Sequence, residues 1–272
     1  MTSGRAGEIA KAFARARDEG RAALVPFLTA GYPDPETCLS LLVGMADAGA
    51  DVIELGVPFS DPVADGPTIQ RASEKALAAG MTFARALELG AAFRRERATP
   101  LLLFTYLNPL LRRGLERAAR DAAGAGLDGV LVCDLPPDEA PEVRERFRAQ
   151  ELDYVSLVAP TSTEARLRVL ARASTGFVYL IARTGVTGAG AGDARLARQV
   201  DELRRHSDLP VAVGFGIADA EGARRAAGLA DGVVVGSALL ERIAVAGPAA
   251  ALALLREIRS ALARERTRAA VV

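Results

Sequence analysis

Two acidic residues, Glu54 and Asp65, lie in the segment 51–70 (DVIELGVPFSDPVADGPTIQ) at a spacing that suits acid–base chemistry. Glu54 falls in an apolar run that predicts a strand, on the face opposite to Ile53 and Leu55. If helices cover the outer face, Glu54 points into a closed interior, where an unpaired carboxylate is costly. Asp65 follows on a loop that prolines stiffen. Two carboxylates in such different surroundings can hold different protonation states, as a general acid and a base require.

A structural role is the alternative for each acid. Glu54 would then bind a backbone amide or an arginine at the rim of the domain. Asp65, like Asp61, would only favour a turn. The spacing of these residues leaves both interpretations open.

Alternating short apolar and longer amphipathic runs predict repeated strand–helix units. A charged amphipathic helix comes first. The predicted strands are 24–30, 51–56, 100–105, 128–133, 154–159, 177–182, 210–214 and 231–235, and the predicted helices are 35–48, 68–79, 83–97, 140–150, 163–173, 194–205, 220–228 and a last one ending near 266. We therefore expect an α/β fold, a single (β/α)8 TIM barrel with an extra N-terminal helix. It forms one domain over 1–272, with 267–272 as a frayed tail.

Glycine-bearing segments follow the last three predicted strands, at 183–192, 214–219 and 235–240. Barrels of this kind commonly hold phosphate at these turns and at a helix N-terminus. Gly188, Gly216 and Gly236 would let backbone amides approach the phosphate oxygens, and Ser237 would donate a hydroxyl group. Ordinary turn glycines are the alternative. The segment 183–192 is rich enough in glycine to act as a mobile lid, or else to be a disordered connector.

Composition excludes several classes of function. Lys plus Arg and Asp plus Glu both number 34, so no excess of charge attracts nucleic acid or anionic lipid. The chain has 2 cysteines, no signal-peptide core and no run of about 18 apolar residues, so we expect a cytoplasmic protein without a membrane span.

Histidine, lysine and cysteine, the residues that other catalytic mechanisms commonly use, are scarce in this chain. The only histidine, His206, precedes the seventh predicted strand at the N-terminal face, so neither a Ser-His-Asp triad nor a histidine-ligated zinc is expected. Lys11 and Lys75 fall on predicted helices, which disfavours a Schiff base. Cys133 ends the fourth predicted strand without a histidine to activate it and is interpreted as core filler. Carboxylates must then do the chemistry alone.

The motifs of this chain closely resemble those of the tryptophan synthase alpha subunit family. The most specific is ELGVPFSDPVADGPTIQRAS (54–73), and the others are VPFLTAGYPD (25–34), TYLNPL (105–110), CDLPPDE (133–139), RTGVTGA (183–189), VGFGI (213–217) and GSA (236–238). They span nearly the whole chain in the family order. The resemblance implies a carbon–carbon lyase of tryptophan biosynthesis that cleaves indole-3-glycerol phosphate into indole and glyceraldehyde 3-phosphate.

The same resemblance implies roles for individual residues. Glu54 is the principal acid–base, which protonates the indole ring at C3 and then takes the proton of the glycerol hydroxyl. Asp65 contacts the indole N–H and stabilises the positive indolenine. The substrate-binding positions are Phe27 and Tyr179 at the indole, Thr187 as the lid threonine that orders the aspartate of the second loop, and Gly188, Gly216, Gly236 and Ser237 at the phosphate.

The family resemblance also implies a beta partner, which uses pyridoxal phosphate to join channelled indole to serine. Two alpha and two beta chains form a heterotetramer, and Asp61, Pro62 and Asn108 fall where family members meet the partner. No cofactor and no metal are expected in this chain itself. Ala182 and Ala218 depart from the family, standing where many relatives carry a hydroxyl.

Two alternatives remain beside the lyase. One is a catalytically silent barrel that only activates a partner, and the presence of both acids speaks against it. The other is a different sugar-phosphate barrel enzyme such as an isomerase, which the shortage of lysine, histidine and metal ligands disfavours.

Overall fold

The computed structural model describes residues 7–136, 139–181, 189–214 and 216–263. Its strands all pair in parallel, in the order β5-β4-β3-β2-β1-β9-β8-β7-β6. Their bounds are β1 Ala23–Thr29, β2 Ile53–Gly56, β3 Leu101–Thr105, β4 Gly129–Val132, β5 Asp153–Tyr154, β6 Ser156–Val158, β7 Val178–Ile181, β8 Val211–Gly214 and β9 Gly232–Val235.

The sheet closes into a barrel because its two end strands are neighbours in the chain. Only Val155 separates β5 from β6, and its N–H donates to the carbonyl of Val130 at 2.9 Å. β5 pairs with β4 and β6 pairs with β7, so the stretch 153–158 joins both edges. It corresponds to the single fifth strand of the prediction, and the (β/α)8 barrel is confirmed.

Helices surround the strands. They are α1 Glu8–Asp18, α2 Pro35–Asp47, α3 Pro67–Ala78, α4 Phe83–Glu96, α5 Leu107–Arg113, α6 Leu115–Gly124, α7 Pro141–Arg148, α8 Glu164–Ala173, α9 Ala189–His206, α10 Ala220–Leu229 and α11 Ser237–Ala261. The sequence pattern did not locate α5 and α6. It also assigned 189–192 to a loop, which was wrong because these residues begin α9. The predicted tail at 267–272 lies outside the described residues.

The alternation of side chains predicted for β2 is confirmed. Ile53 and Leu55 pack in the layer between strands and helices, whereas Val52 packs inside the barrel. The N-terminal helix α1 covers one end of this interior: Ile9 and Phe13 are buried, and the rings of Phe13 and Phe177 lie 5.1 Å apart. The opposite end of the barrel, where the strands finish, is left for the loops.

Aspartates at strand entrances hold neighbouring strands in register. The side chain of Asp51 accepts the N–H of Leu24, and a bidentate pair with Arg21 neutralises it. Similar ties occur at two other strands. Asp128 accepts the N–H of Leu101 and a hydrogen bond from Arg94, and Asp231 accepts the N–H of Val211 and a hydrogen bond from Arg204. Because these ties sit at the N-terminal face, they stabilise the barrel without occupying its C-terminal end.

Among the helices formed by the described residues, only α11 is by itself long enough and apolar enough to cross a membrane. Its chain bends at Gly247, where φ is 81°, just before Pro248. Buried residues on both sides of the bend, such as Leu240 and Leu255, belong to the core around β1 and α2. Part of the apolar surface of α11 is therefore buried inside the fold, as in the core helix of a soluble protein.

Candidate active site

Glu54 lies inside the barrel near the C-terminal end of β2. Its residue is only 1% exposed, and its Oε1 atom has no hydrogen-bond partner among the described residues. Burial raises the pKa of Glu54 from 4.5 to about 8. This side chain is therefore an acid that keeps its proton at neutral pH and can still release it.

Asp65 is held by Tyr106, the residue that directly follows β3. The hydroxyl of Tyr106 donates to Oδ2 of Asp65 at 3.0 Å and accepts the N–H of Ala64 at 3.1 Å. Burial raises the pKa of Asp65 to about 6, while the hydrogen bond from Tyr106 acts in the opposite direction. Asp65 is therefore mainly ionised at neutral pH, in contrast to Glu54.

The backbone around Asp65 is fixed by further contacts. Gln70, in the first turns of α3, donates from Nε2 to the carbonyl of Asp65 at 2.9 Å. The rings of Phe59 and Tyr106 pack 5.0 Å apart. The loop that carries the second acid is thus tied to α3 and to the end of β3.

One cavity at the C-terminal end of the barrel brings the predicted residues together. Glu54 and Asp65 both line it, together with five of the seven predicted substrate-binding residues: Phe27, Tyr179, Gly216, Gly236 and Ser237. The other two, Thr187 and Gly188, lie outside the described residues. The two acids can therefore face the same bound molecule.

The walls of the cavity are mainly apolar. Two glycines make room for its aromatic residues, because a Cβ atom at Gly214 would lie 2.7 Å from ring carbons of Tyr179, and one at Gly56 would lie 2.6 Å from a ring carbon of Phe27. The cavity also includes residues that the sequence reasoning did not single out, all at or just after strand ends: Phe104, Leu157, Ile181 and Ile217. Tyr106 was also missed, although its position directly after β3 was a signal for a site residue.

The far end of the cavity suits an anion. Gly236 immediately precedes α11, and Ser237 and Ala238 in the first turn of this helix line the cavity, so the N-terminus of α11 lies beside it. Gly216 enters from the β8 loop with a φ of 76°, a conformation that favours glycine. Ala218 lines this end as well, without adding a hydroxyl.

The comparisons with known proteins agree with this geometry. The family model described as "Tryptophan synthase alpha chain" matches residues 13–268. The chain belongs to the tryptophan synthase alpha chain family. That membership excludes the alternative of an unrelated sugar-phosphate isomerase.

Individual members of the tryptophan synthase alpha family align over most of their length. The chain is 53% identical over 248 residues to the alpha chain of Laribacter hongkongensis, covering 89% of this chain and 94% of that protein. It is 51% identical over 237 residues to that of Dechloromonas aromatica, covering 86% and 88%.

Solved structures give the same result. A tryptophan synthase structure from Mycobacterium tuberculosis superposes with a TM-score of 0.88 at 38% identity, covering 94% of this chain and 98% of that one. The alpha subunit from Legionella pneumophila superposes with a TM-score of 0.86 at 36% identity, covering 94% and 98%.

The three predicted interface residues lie near the cavity but face outward. Asp61 and Asn108 are exposed, and Pro62 is half-buried. Large apolar side chains accompany them: Val63 in the same loop is 84% exposed, and Leu111, one turn after Asn108 on α5, is 53% exposed. Tyr106 connects this loop to the start of α5 through its bond to Ala64.

Proposed function

We propose that Glu54 and Asp65 carry out the reaction that follows from family membership, the retro-aldol cleavage of indole-3-glycerol phosphate into indole and glyceraldehyde 3-phosphate. One observation carries this proposal: two carboxyl groups line one cavity, with pKa values raised to about 8 and about 6. At neutral pH one carboxyl group therefore holds a proton while the other is ionised, which is the division of labour that acid–base catalysis needs.

Substrate binding follows from the shape of the cavity. The apolar walls formed by Phe27 and Tyr179 accept the indole ring, and the N-terminus of α11 with Gly216 and Ser237 accepts the phosphate. The glycerol chain then spans the space between the two ends, where Glu54 meets the carbon attached to the ring.

Glu54 donates one proton and then accepts a different one, so it ends the reaction in its starting protonation state. Its protonated carboxyl group donates to C3 of the indole, which creates a positively charged indolenine. Asp65 accepts a hydrogen bond from the ring N–H and stabilises that charge. The Glu54 carboxylate then removes the proton of the hydroxyl on the adjacent glycerol carbon. The carbon–carbon bond breaks, its electron pair returns to the indolenine, and the new carbonyl becomes the aldehyde.

The chain's own residues suffice for each of these steps, and no cofactor is assigned to it. In this proposal the protein is a carbon–carbon lyase of the cytoplasm. It works with a beta subunit in a heterotetramer of two alpha and two beta chains. Pyridoxal phosphate belongs to that partner. The exposed Val63 and Leu111 beside Asp61 and Asn108 support a docking face for it.

An indole-release assay on the purified chain, with and without a beta subunit, tests the proposal. We expect release from indole-3-glycerol phosphate by the chain alone and faster release with the partner. The profile of kcat/KM against pH should be bell-shaped, with an acid limb at about pH 6 from Asp65 and a basic limb at about pH 8 from Glu54. A chain that activates the partner but releases no indole in either mixture would instead be the catalytically silent barrel.

A further inference from the structure

Three side chains with metal-binding atoms meet between α8 and α9, away from the active site. Glu164, Glu202 and His206 each offer one ligand atom, and these atoms lie within 4.8 Å of one another. Within the ranges that the structure describes, no other group of three or more His, Cys, Asp or Glu residues meets this condition. None of the three lines the catalytic cavity.

Two of these ligands are already positioned by the helix that carries them. Glu202 and His206 are one turn apart on α9, and Nε2 of His206 lies 2.9 Å from Oε1 of Glu202. Their side chains are only 15% and 17% exposed. Two histidines at i, i+4 on one helix face bind zinc in a known motif, and Glu202 and His206 have the same spacing.

The third ligand comes from the first turn of α8. The two helices are packed through a shared core that includes Leu167, Leu170, Leu196, Val200 and Leu203. This packing fixes the distance between the helices, and ligands on rigid elements keep their geometry better than ligands on loops. The side chain of Glu164 is 66% exposed and can rotate toward the pair.

We propose, against the expectation from the sequence that this chain holds no histidine-ligated zinc, that Glu164, Glu202 and His206 bind a divalent transition-metal ion, with Zn²⁺ as the best fit. One imidazole and two carboxylates match the ligand preferences of zinc, and the two negative charges balance the ion. Bond lengths of about 2.0–2.2 Å place tetrahedral ligand atoms about 3.4 Å apart. Small rotamer changes therefore convert the observed cluster into a site, and a water takes the fourth position. The bound ion joins α8 to α9.

Two arginines compete for the same carboxylates. Arg205 lies 2.5 Å from Oε2 of Glu202, which leaves Oε1 directed at His206. Arg168 lies 3.7 Å from Glu164, in a pair whose side chains are about half exposed or more. Exposed pairs of this kind contribute little to stability. A metal ion can therefore replace the Arg168 contact at small cost and leave that of Arg205 in place.

Calorimetric titration of the chelator-treated full chain with Zn²⁺ tests the site. We expect one ion per chain, with affinity reduced at least ~10-fold by His206→Gln and by Glu164→Gln. Glu116→Gln, which removes the carboxylate of an exposed pair with Arg120 on α6, is the matched control and should bind as the wild type does. Absence of saturable binding, or unchanged affinity in either cluster variant, would overturn the proposal.

Two further measurements distinguish an ion held by these three side chains from one held by a cysteine thiolate. Zn²⁺ should raise the Tm of the wild type by at least about 2 °C, and not that of His206→Gln. Comparing shifts within each variant removes any destabilisation caused by the substitution itself. Co²⁺ in place of Zn²⁺ should give a visible spectrum without a thiolate charge-transfer band, unchanged in Cys133→Ser. A thiolate band that disappears in that variant would assign the metal to the cysteine and refute the cluster.

Discussion

Replacing Glu54 by Gln separates its chemistry from the cost of burying it. Folding raises the pKa of Glu54 from 4.5 to about 8. A carboxyl group whose pKa is raised on folding contributes fully to stability only below its unfolded pKa, and it loses that contribution as the pH rises through its folded pKa. The wild-type chain therefore loses stability progressively between about pH 4.5 and about pH 8 because of this one residue.

The size of the effect follows from the linkage between protonation and folding. Each pH unit in the middle of this window costs about 1.36 kcal/mol. Allowing for partial titration at both ends, the cost grows by about 3.5 kcal/mol from about pH 5 to about pH 8. Gln cannot ionise, and the penalty of its buried amide does not depend on pH. The free energy of unfolding of Glu54→Gln relative to wild type should therefore rise by about 3.5 kcal/mol over this range.

Urea unfolding of both proteins at the two pH values measures that difference, and an indole-release assay measures the catalytic loss. We expect release to fall at least ~100-fold if Glu54 is the general acid–base. Glu88→Gln, at an exposed position of α4, controls for removing one carboxylate. A stability difference that stays constant with pH would show that Glu54 is solvated in the folded chain, and indole release at the wild-type rate would remove it from the mechanism.

Three further variants test other parts of the site. Tyr106→Phe removes the donor that lowers the pKa of Asp65, so the acid limb of the kcat/KM profile should move up by about one pH unit, and an unmoved limb would deny the contact a catalytic role. Ser237→Ala should raise KM about fivefold with little change in kcat, if its hydroxyl contributes one hydrogen bond to the bound phosphate. Leu111→Asp should abolish activation by the beta subunit while sparing the activity of the isolated chain. Its control is Val169→Asp, at an exposed apolar position of α8, which should preserve both activities. Measurements of beta-subunit binding and of the reaction rate on each variant test this.

Local patterns along the chain were enough for the barrel and for the positions of its two acids, whereas Phe27 and Tyr179 were assigned through the family resemblance. Alternation in β2 predicted an inward Glu54 because a strand directs successive side chains to opposite faces whatever lies around it. Glycines after the late strands predicted the anion-binding end for a similar local reason. The residues 189–192 were wrongly assigned to a loop because their glycine content outweighed the helical pattern of the residues that follow. The helices α5 and α6 were missed.

The sequence by itself thus determined that Glu54, Asp65 and the late glycines lie at the C-terminal end of the barrel, since strand periodicity and loop position are local properties. Only the tertiary structure decided the pKa values of the two acids, which are about 8 for Glu54 and about 6 for Asp65. A pKa depends on solvent exclusion and on partners such as Tyr106, which is 41 residues from Asp65 in the chain. The meeting of Glu164 with the distant pair on α9 has the same origin, because only the packing of two helices brings their side chains together.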